Sequence, residues 1–299
     1  MENENDKLSE QEFLGKYDAN VYEHPSVTVD TLIFSVMDND SSNYRKLPEK
    51  ELKILLIKRK DHPYRNQWAL PGGFVKLDEN LDDAAYRELK EETNVNDVYL
   101  EQLYTWGDIN RDPRTRVISC SYMALINGNS TLITASSDAG DVKWFSLKSK
   151  VIQENKTIFE KGYQLEKKIS IMLECGEVKL SCDVLITKKK EHEMISVTRK
   201  VLKSEGLAFD HSMIIYYGLE RLRAKTEFTD IALHLMEQEF TLTELQNVYE
   251  VILDKTLLAA NFRRKINMYV EETDNSTKDA GHRPARLYKH KQQKSYDFY

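Results

Sequence analysis

Three cysteines in 299 residues, Cys120, Cys175 and Cys182, are too few for a disulfide framework, and none lies in the CxxC spacing of a zinc or thiol-exchange site. They read as free thiols, buried or half-buried, in a reducing compartment. Glycine (11) and proline (6) are also scarce, which excludes collagen-like and low-complexity chains. No apolar run approaches the roughly 20 residues that span a bilayer. The opening MENENDKLSE is acidic and lacks the basic start and apolar centre of a secretion signal. A cytoplasmic protein with no membrane partner is therefore expected. Positive charge is in deficit, with 43 Lys and Arg against 49 Asp and Glu and a net charge of −6, which for the whole chain argues against a nucleic-acid partner. What remains, 40% hydrophobic and 31% charged residues, describes an ordinary globular chain long enough for two domains.

The charge is unevenly placed. From Lys255 to Tyr299 there are ten Lys and Arg against five Asp and Glu, so this segment carries +5 and the rest of the chain −11. An acidic body joined to a basic module that faces double-stranded DNA has this signature.

The densest pattern runs from Gly72 to Val95, GGFVKLDENLDDAAYRELKEETNV. Asn80 is placed to cap a helix, Asp82 and Asp83 fall in its first turn where the dipole favours negative charge, and no Gly or Pro interrupts Leu81 to Thr93. On that helix Leu81, Ala84, Ala85 and Leu89 share one face, while Glu88, Glu91 and Glu92 share another at i, i+3 and i+4. Three carboxylates within one turn repel unless cations sit among them, and the hard ions Mg2+ or Mn2+ suit oxygen ligands. Arg87 is placed to hold a neighbouring carboxylate. A solvated acidic face is the plainer alternative.

The spacing decides between the two. Counting from Gly73, a Glu follows after five residues (Glu79), and after seven more come Arg87, Glu88 and Leu89, then Glu91, Glu92, Asn94 and Val95. This resembles the Nudix box, GX5EX7REUXEEXGU with U aliphatic. Asn94 stands where the family has Gly, and Asn is the next-best residue for a left-handed turn after a helix. The resemblance implies an α+β chain built on a Nudix α/β/α sandwich. It implies Glu88, Glu91 and Glu92 as metal ligands, the Gly73 carbonyl as a further one, and Glu79 as an outer ligand or the partner of Arg87. Glu88, Glu91, Glu92 and Arg87 become the catalytic set, with Glu88 as ligand or base.

In chain order, residues 1–22 read as an arm with a helical turn from Glu10 to Lys16, followed by strands at Ser26 to Met37 and Leu52 to Lys60. Trp68, Pro71, Gly72 and Gly73 match the WALPGG lead-in common in Nudix proteins, with Trp68 read as core. Between two later strands, the loop Asn110 to Arg116 offers Arg111, Arg114 and Arg116 to an anionic substrate by forked hydrogen bonds. The tripeptide Arg111, Asp112, Pro113 resembles a loop of Nudix proteins that handle ADP-ribose. Asp138 and Asp141 are weaker candidates for an extra base or ligand. Residues 23–150 are assigned to the Nudix domain and 151–207 to an inserted β meander whose strand edges suggest a homodimer.

Residues 208–299 are expected to form a winged helix-turn-helix. Asp210 caps a first helix with Met213, Ile214, Tyr217, Leu219 and Leu222 inward. Thr241 or Thr243 caps a second with Leu245, Val248, Tyr249 and Ile252 inward. A third, Leu258 to Tyr269, turns Phe262, Ile266 and Tyr269 inward, and two strands of a basic wing follow. Arg263, Arg264, Lys265, Arg283 and Arg286 are the candidate DNA contacts. Asp210 with His211, FTLTELQNVYE, NFRRKI and RPARLY resemble the C-terminal part of Nudix-related transcriptional regulators of NAD metabolism that respond to ADP-ribose. Two functions follow from the resemblance. The retained acidic residues favour a hydrolase that cleaves the diphosphate of ADP-ribose or a related nucleoside diphosphate derivative with Mg2+, while the basic module favours an ADP-ribose-sensing regulator.

Overall fold

A computed structural model describes residues 9–39, 49–94, 98–128, 141–277 and 284–291. Val95, Asp138 and Arg283 lie outside the described residues. After a helix α1 (Glu10–Lys16) come β1 (Ser26–Asp38), β2 (Lys50–Lys58), the short β3 (Trp68–Ala69) and β4 (Gly72–Phe74), and the box helix α2 (Leu81–Thr93). Then follow β5 (Tyr99–Trp106), β6 (Val117–Leu125), β7 (Val142–Phe159), β8 (Gly162–Cys175), β9 (Val178–Glu191) and β10 (Met194–Glu205). All ten strands join one sheet in the order β10-β9-β8-β7-β2-β1-β6-β5, with β3 on β2 and β4 on β1. The β1–β6 pair is parallel, from Ser26 opposite Val117 to Phe34 opposite Leu125.

Strand β1 is buried on both faces, as its run of β-branched and aliphatic residues requires. Leu32 and Phe34 point to one side and pack with Ile214, Leu219 and Leu222 of α3 (His211–Phe228). Val29 and Ile33 point to the other, where Ala84, Ala85 and Leu89 of α2 cover them. Gly218 lets α3 lie close on the sheet: a Cβ there would stand 2.2 Å from Leu32 Cδ2.

The remaining elements are a 3-10 turn (Ile231–Leu235), α4 (Leu242–Leu253), α5 (Ala259–Ile266), and the two-stranded β11 (Val270–Ser276) and β12 (Arg286–His290). Thr241 accepts from Glu244 N–H while the Glu244 carboxylate accepts from Thr241, a reciprocal cap on α4. Leu245, Val248, Tyr249 and Ile252 are buried as expected, and Phe262 of α5 meets the Tyr249 ring at 5.2 Å.

The structure differs from expectation in three places. Strand β7 crosses the anticipated boundary at 150/151, with a register shift between Val151 and Gln153, so the domains do not part there although the meander lengthens the sheet as expected. Helix α3, assigned in advance to the winged helix, buries its apolar face on that sheet, and one core cluster extends from β1 through α3 to α4 and α5. Asp210 precedes α3, but its carboxylate makes no cap hydrogen bond and turns to Arg111. Burial of Leu32 and Phe34 needs a second helical layer, and α3 supplies it.

Candidate functional site

The box helix ends as its sequence suggests, with Asn94 left-handed at φ 54°. On its outer face the Arg87 guanidinium forks onto Glu79, with Nε to Oε2 at 2.9 Å and Nη2 to Oε1 at 2.7 Å. Its Nη1 donates to Glu88 Oε1 at 2.6 Å and lies 3.7 Å from Glu91. Hydrogen bonding from Arg87 holds the Glu79 carboxyl down at about 2. Burial pushes Glu88 up, against the pull of Arg87. Glu88 lies under Gly73, where a Cβ would stand 2.2 Å from Oε1, so strand β4 can pass over the carboxylate only with glycine there. Glu91 is exposed and Glu92 buried. These donors have the chemistry of Mg2+ ligands, but Arg87 already holds Glu79 and Glu88. Among the described residues no three His, Cys, Asp or Glu side chains converge on a metal-sized site. Glu88, Glu91, Glu92 and the Gly73 carbonyl are the groups that would hold an ion, and no hydrolytic step is assigned to them here. Asp141 pairs with Lys143 at 2.9 Å.

Gly73 also borders an open cleft of about 170 Å³. One wall comes from far along the chain. Trp68 N–H donates to Gly206 O (2.9 Å) and Ala208 N–H donates to Trp68 O (2.8 Å), which places Phe209, Asp210 and His211 against β3. Trp68 itself is core, edge-on to Phe145 at 4.7 Å. The Leu70 N–H donates to His211 Nδ1 (2.9 Å), so the ring proton sits on Nε2, 3.4 Å from Asp30 Oδ1. Arg111 is buried between two carboxylates, forked onto Asp210 at 2.8 and 3.0 Å and 3.3 Å from Asp30. Burial alone would raise the Asp30 carboxyl, but His211, Arg111 and Ser119 outweigh it and hold it at about 2.

Arg59 and Arg114 guard the mouth. The Arg59 guanidinium lies 4.9 Å from the Phe209 ring centre, and that of Arg114 lies 5.5 Å from Phe74 and 5.9 Å from Phe209. Arg114 is paired with Asp112 at 2.8 Å, while burial and the like charge of Arg114 pull Arg59 below its ordinary range. Two guanidiniums and two aromatic faces around one opening suit a ligand that is anionic and carries a flat ring.

Of the three loop arginines, Arg111 and Arg114 reach the cleft, Arg111 as a locked internal partner; Arg116 donates instead to the Gly107 and Asp108 carbonyls. Arg59, Phe209 and His211 were missed because their spacing to the box carries no signal: β3 brings them there. In the C-terminal module Arg263 and Arg264 are exposed on α5. Lys265 is not available to DNA, since its Nζ donates to the Thr226 and Glu227 carbonyls at the end of α3. Arg286 is ion-paired with Glu272.

Comparison with known proteins matches a family model described as NUDIX domain to residues 46–163 and one described as NrtR DNA-binding winged helix domain to residues 232–290. Across 97% of this chain and 91% of the relative, the sequence is 36% identical to the "ADPR responsive transcriptional repressor NtrR" of Acinetobacter baylyi. The chain belongs to the NrtR family. Its fold matches the crystal structure of a MutT/nudix family protein from Enterococcus faecalis with a TM-score of 0.68 and 30% identity, over 95% of this chain and 94% of that one. It also matches NrtR of Shewanella oneidensis in complex with a 27mer DNA, with a TM-score of 0.59 and 28% identity, over 89% and 93%. The winged-helix model of the NrtR family begins at residue 232, after α3, in keeping with the packing of α3 on the sheet. No helix among the described residues is long and apolar enough to cross a membrane.

Proposed function

We propose that this protein is a DNA-binding transcriptional regulator whose Nudix cleft senses ADP-ribose. The observation that carries the reading is the shared wall: Phe209 and His211 line the cleft, and His211 is the first residue of α3, which packs on α4 of the winged helix. A ligand that displaces Phe209 or loosens Arg111 from Asp210 acts on the base of the helix that carries the DNA module. ADP-ribose supplies the matching chemistry, with a diphosphate for Arg59 and Arg114 and an adenine for the aromatic faces. The full-length resemblance to a repressor described as ADPR responsive supports the same reading, and the three free thiols suit a reducing cytoplasm. Regulation therefore takes precedence over the hydrolase expected from the box. A two-fold dimer would set two winged helices on one duplex.

The test is fluorescence anisotropy on the DNA upstream of its own gene against a scrambled duplex, at several salt concentrations, with and without ADP-ribose. Specific binding that ADP-ribose weakens is expected, and DNA must then weaken ADP-ribose binding by the same factor. Arg263→Ala and Arg264→Ala should each flatten the slope of log K against log salt by about one per protomer. Equal affinity for both duplexes, indifferent to ADP-ribose, would overturn the proposal. Hydrolysis with Mg2+ or Mn2+ is the second reading, favoured by the retained Glu88, Glu91 and Glu92. AMP release that stops in Glu92→Gln while DNA release by ADP-ribose persists would show both activities in one chain.

A further inference from the structure

The meander strands extend beyond the rows that the middle of α3 covers near Tyr217. Near that helix, Ile169 and Val184 are buried and Arg199 lies 5.3 Å from the Tyr217 ring centre. Farther out, the registers place Leu165 and Val197 in one row, and Ile158, Tyr163 and Ile195 two rows on along the same face. Ile158 is 75% and Ile195 58% exposed. The same rows carry Lys156, Lys188 and Lys190, and no described carboxylate pairs with them. The opposite face of these rows is polar, with Asn155, Glu166, Thr187 and Thr198, so the apolar face is the unusual one.

A second unpartnered surface is at the start of the chain. The arm of residues 9–24 has no buried residue, and Phe13, Leu14, Tyr17, Val21 and Tyr22 are all exposed. Its side-chain hydrogen bonds are internal, Ser9 with Glu12, Asp18 with Asn20, and His24 with Ala19. It is acidic, with Glu10, Glu12, Asp18 and Glu23 against Lys16, which suits the lysine face and disfavours DNA.

The arm cannot reach the face of its own chain. It joins β1 at Ser26, whereas the face lies beyond the opposite end of that strand. Ser35 pairs Lys53, Lys53 pairs Ser146, and the open rows of β7 lie around Thr157. That path is about twenty strand residues, roughly 65 Å. The arm, with its seven-residue helix, spans roughly 45 Å at most.

We propose that this face receives the N-terminal arm of a second copy of the chain, apolar side chains against Leu165, Val197 and Ile195 and acidic ones against the three lysines. Reciprocal exchange forms the contact twice per dimer. The inference stands apart from the ligand and the DNA.

Sedimentation equilibrium of the full chain tests it. Deletion through Pro25 and Val197→Asp should each weaken dimerisation by about 30-fold or more, and the double variant no further, since both remove one contact. Circular dichroism checks that these surface variants stay folded. Mixing Leu14→Cys chains with Val197→Cys chains should give a disulfide-linked pair of unlike chains. A monomeric wild type, an unchanged dimer in both variants, or a doubly substituted chain that links only to itself would overturn the proposal.

Discussion

Two clusters of arginine and carboxylate flank the cleft, and they differ in one respect. Around Arg87, itself 21% exposed, Glu91 stands in water while Glu79 and Glu88 are mostly covered. Around Arg111, 4% exposed, Asp30 is covered by β3 and the start of α3, and Asp210 keeps only an edge to water. The first cluster can exchange partners with solvent or ions at little cost. In the second, every charge depends on its neighbours, because a buried charge without its partner is expensive. The box cluster is thus free to change with function, whereas the buried cluster ties the sensing wall to the sheet.

Breaking the buried cluster should give the largest effect. Arg111→Ala leaves Asp30 and Asp210 without their cation and should cost about 3–5 kcal/mol of stability, read from the urea midpoint at neutral pH. A loss near zero would place the two carboxylates in water and end the contrast. Acid should give an intermediate effect. The Asp30 carboxyl is held at about 2 in the folded chain and lies near 3.9 when unfolded, so its contribution is complete above about pH 4 and lost as pH falls towards 2. That loss is about 2 kcal/mol, and Asp30→Asn should flatten the urea midpoint across this window. An unaltered acid limb would contradict the assignment. The smallest effect belongs to the cluster whose arginine reaches water: Arg87→Gln should cost about 1–2 kcal/mol at neutral pH, less than Arg111→Ala. A loss as large as that of Arg111→Ala would make the two clusters equivalent.

The legible parts of the chain were those whose signals are local. The box helix, its left-handed Asn94, the strand at Ser26, the cap at Thr241 and the buried stripe of α4 follow from spacing and capping within one element. The hidden parts depend on pairing across the chain. The stripe on α3 says that Ile214 and Leu222 are covered but not by what, so an amphipathic helix beside a winged helix was assigned to it. Arg111 looked like a phosphate ligand because a loop arginine is usually solvated; Asp210, 99 residues away, makes it an internal partner. Lys265 looked basic and outward, and the carbonyls ending α3 turn it inward.

The closing of the cleft by Phe209 and His211 also bears on synthesis. Leu70 leaves the ribosome 141 residues before His211, its partner. At roughly 5–20 residues per second that is about seven to thirty seconds. Through that interval the nascent sheet holds the box and the loop arginines, yet lacks Phe209, and the layer that α3 will provide is missing over Leu32 and Phe34. Until translation has passed α3 the cleft lacks one wall, and the bare sheet face must be shielded. The cleft is therefore completed only as the winged helix is itself being made.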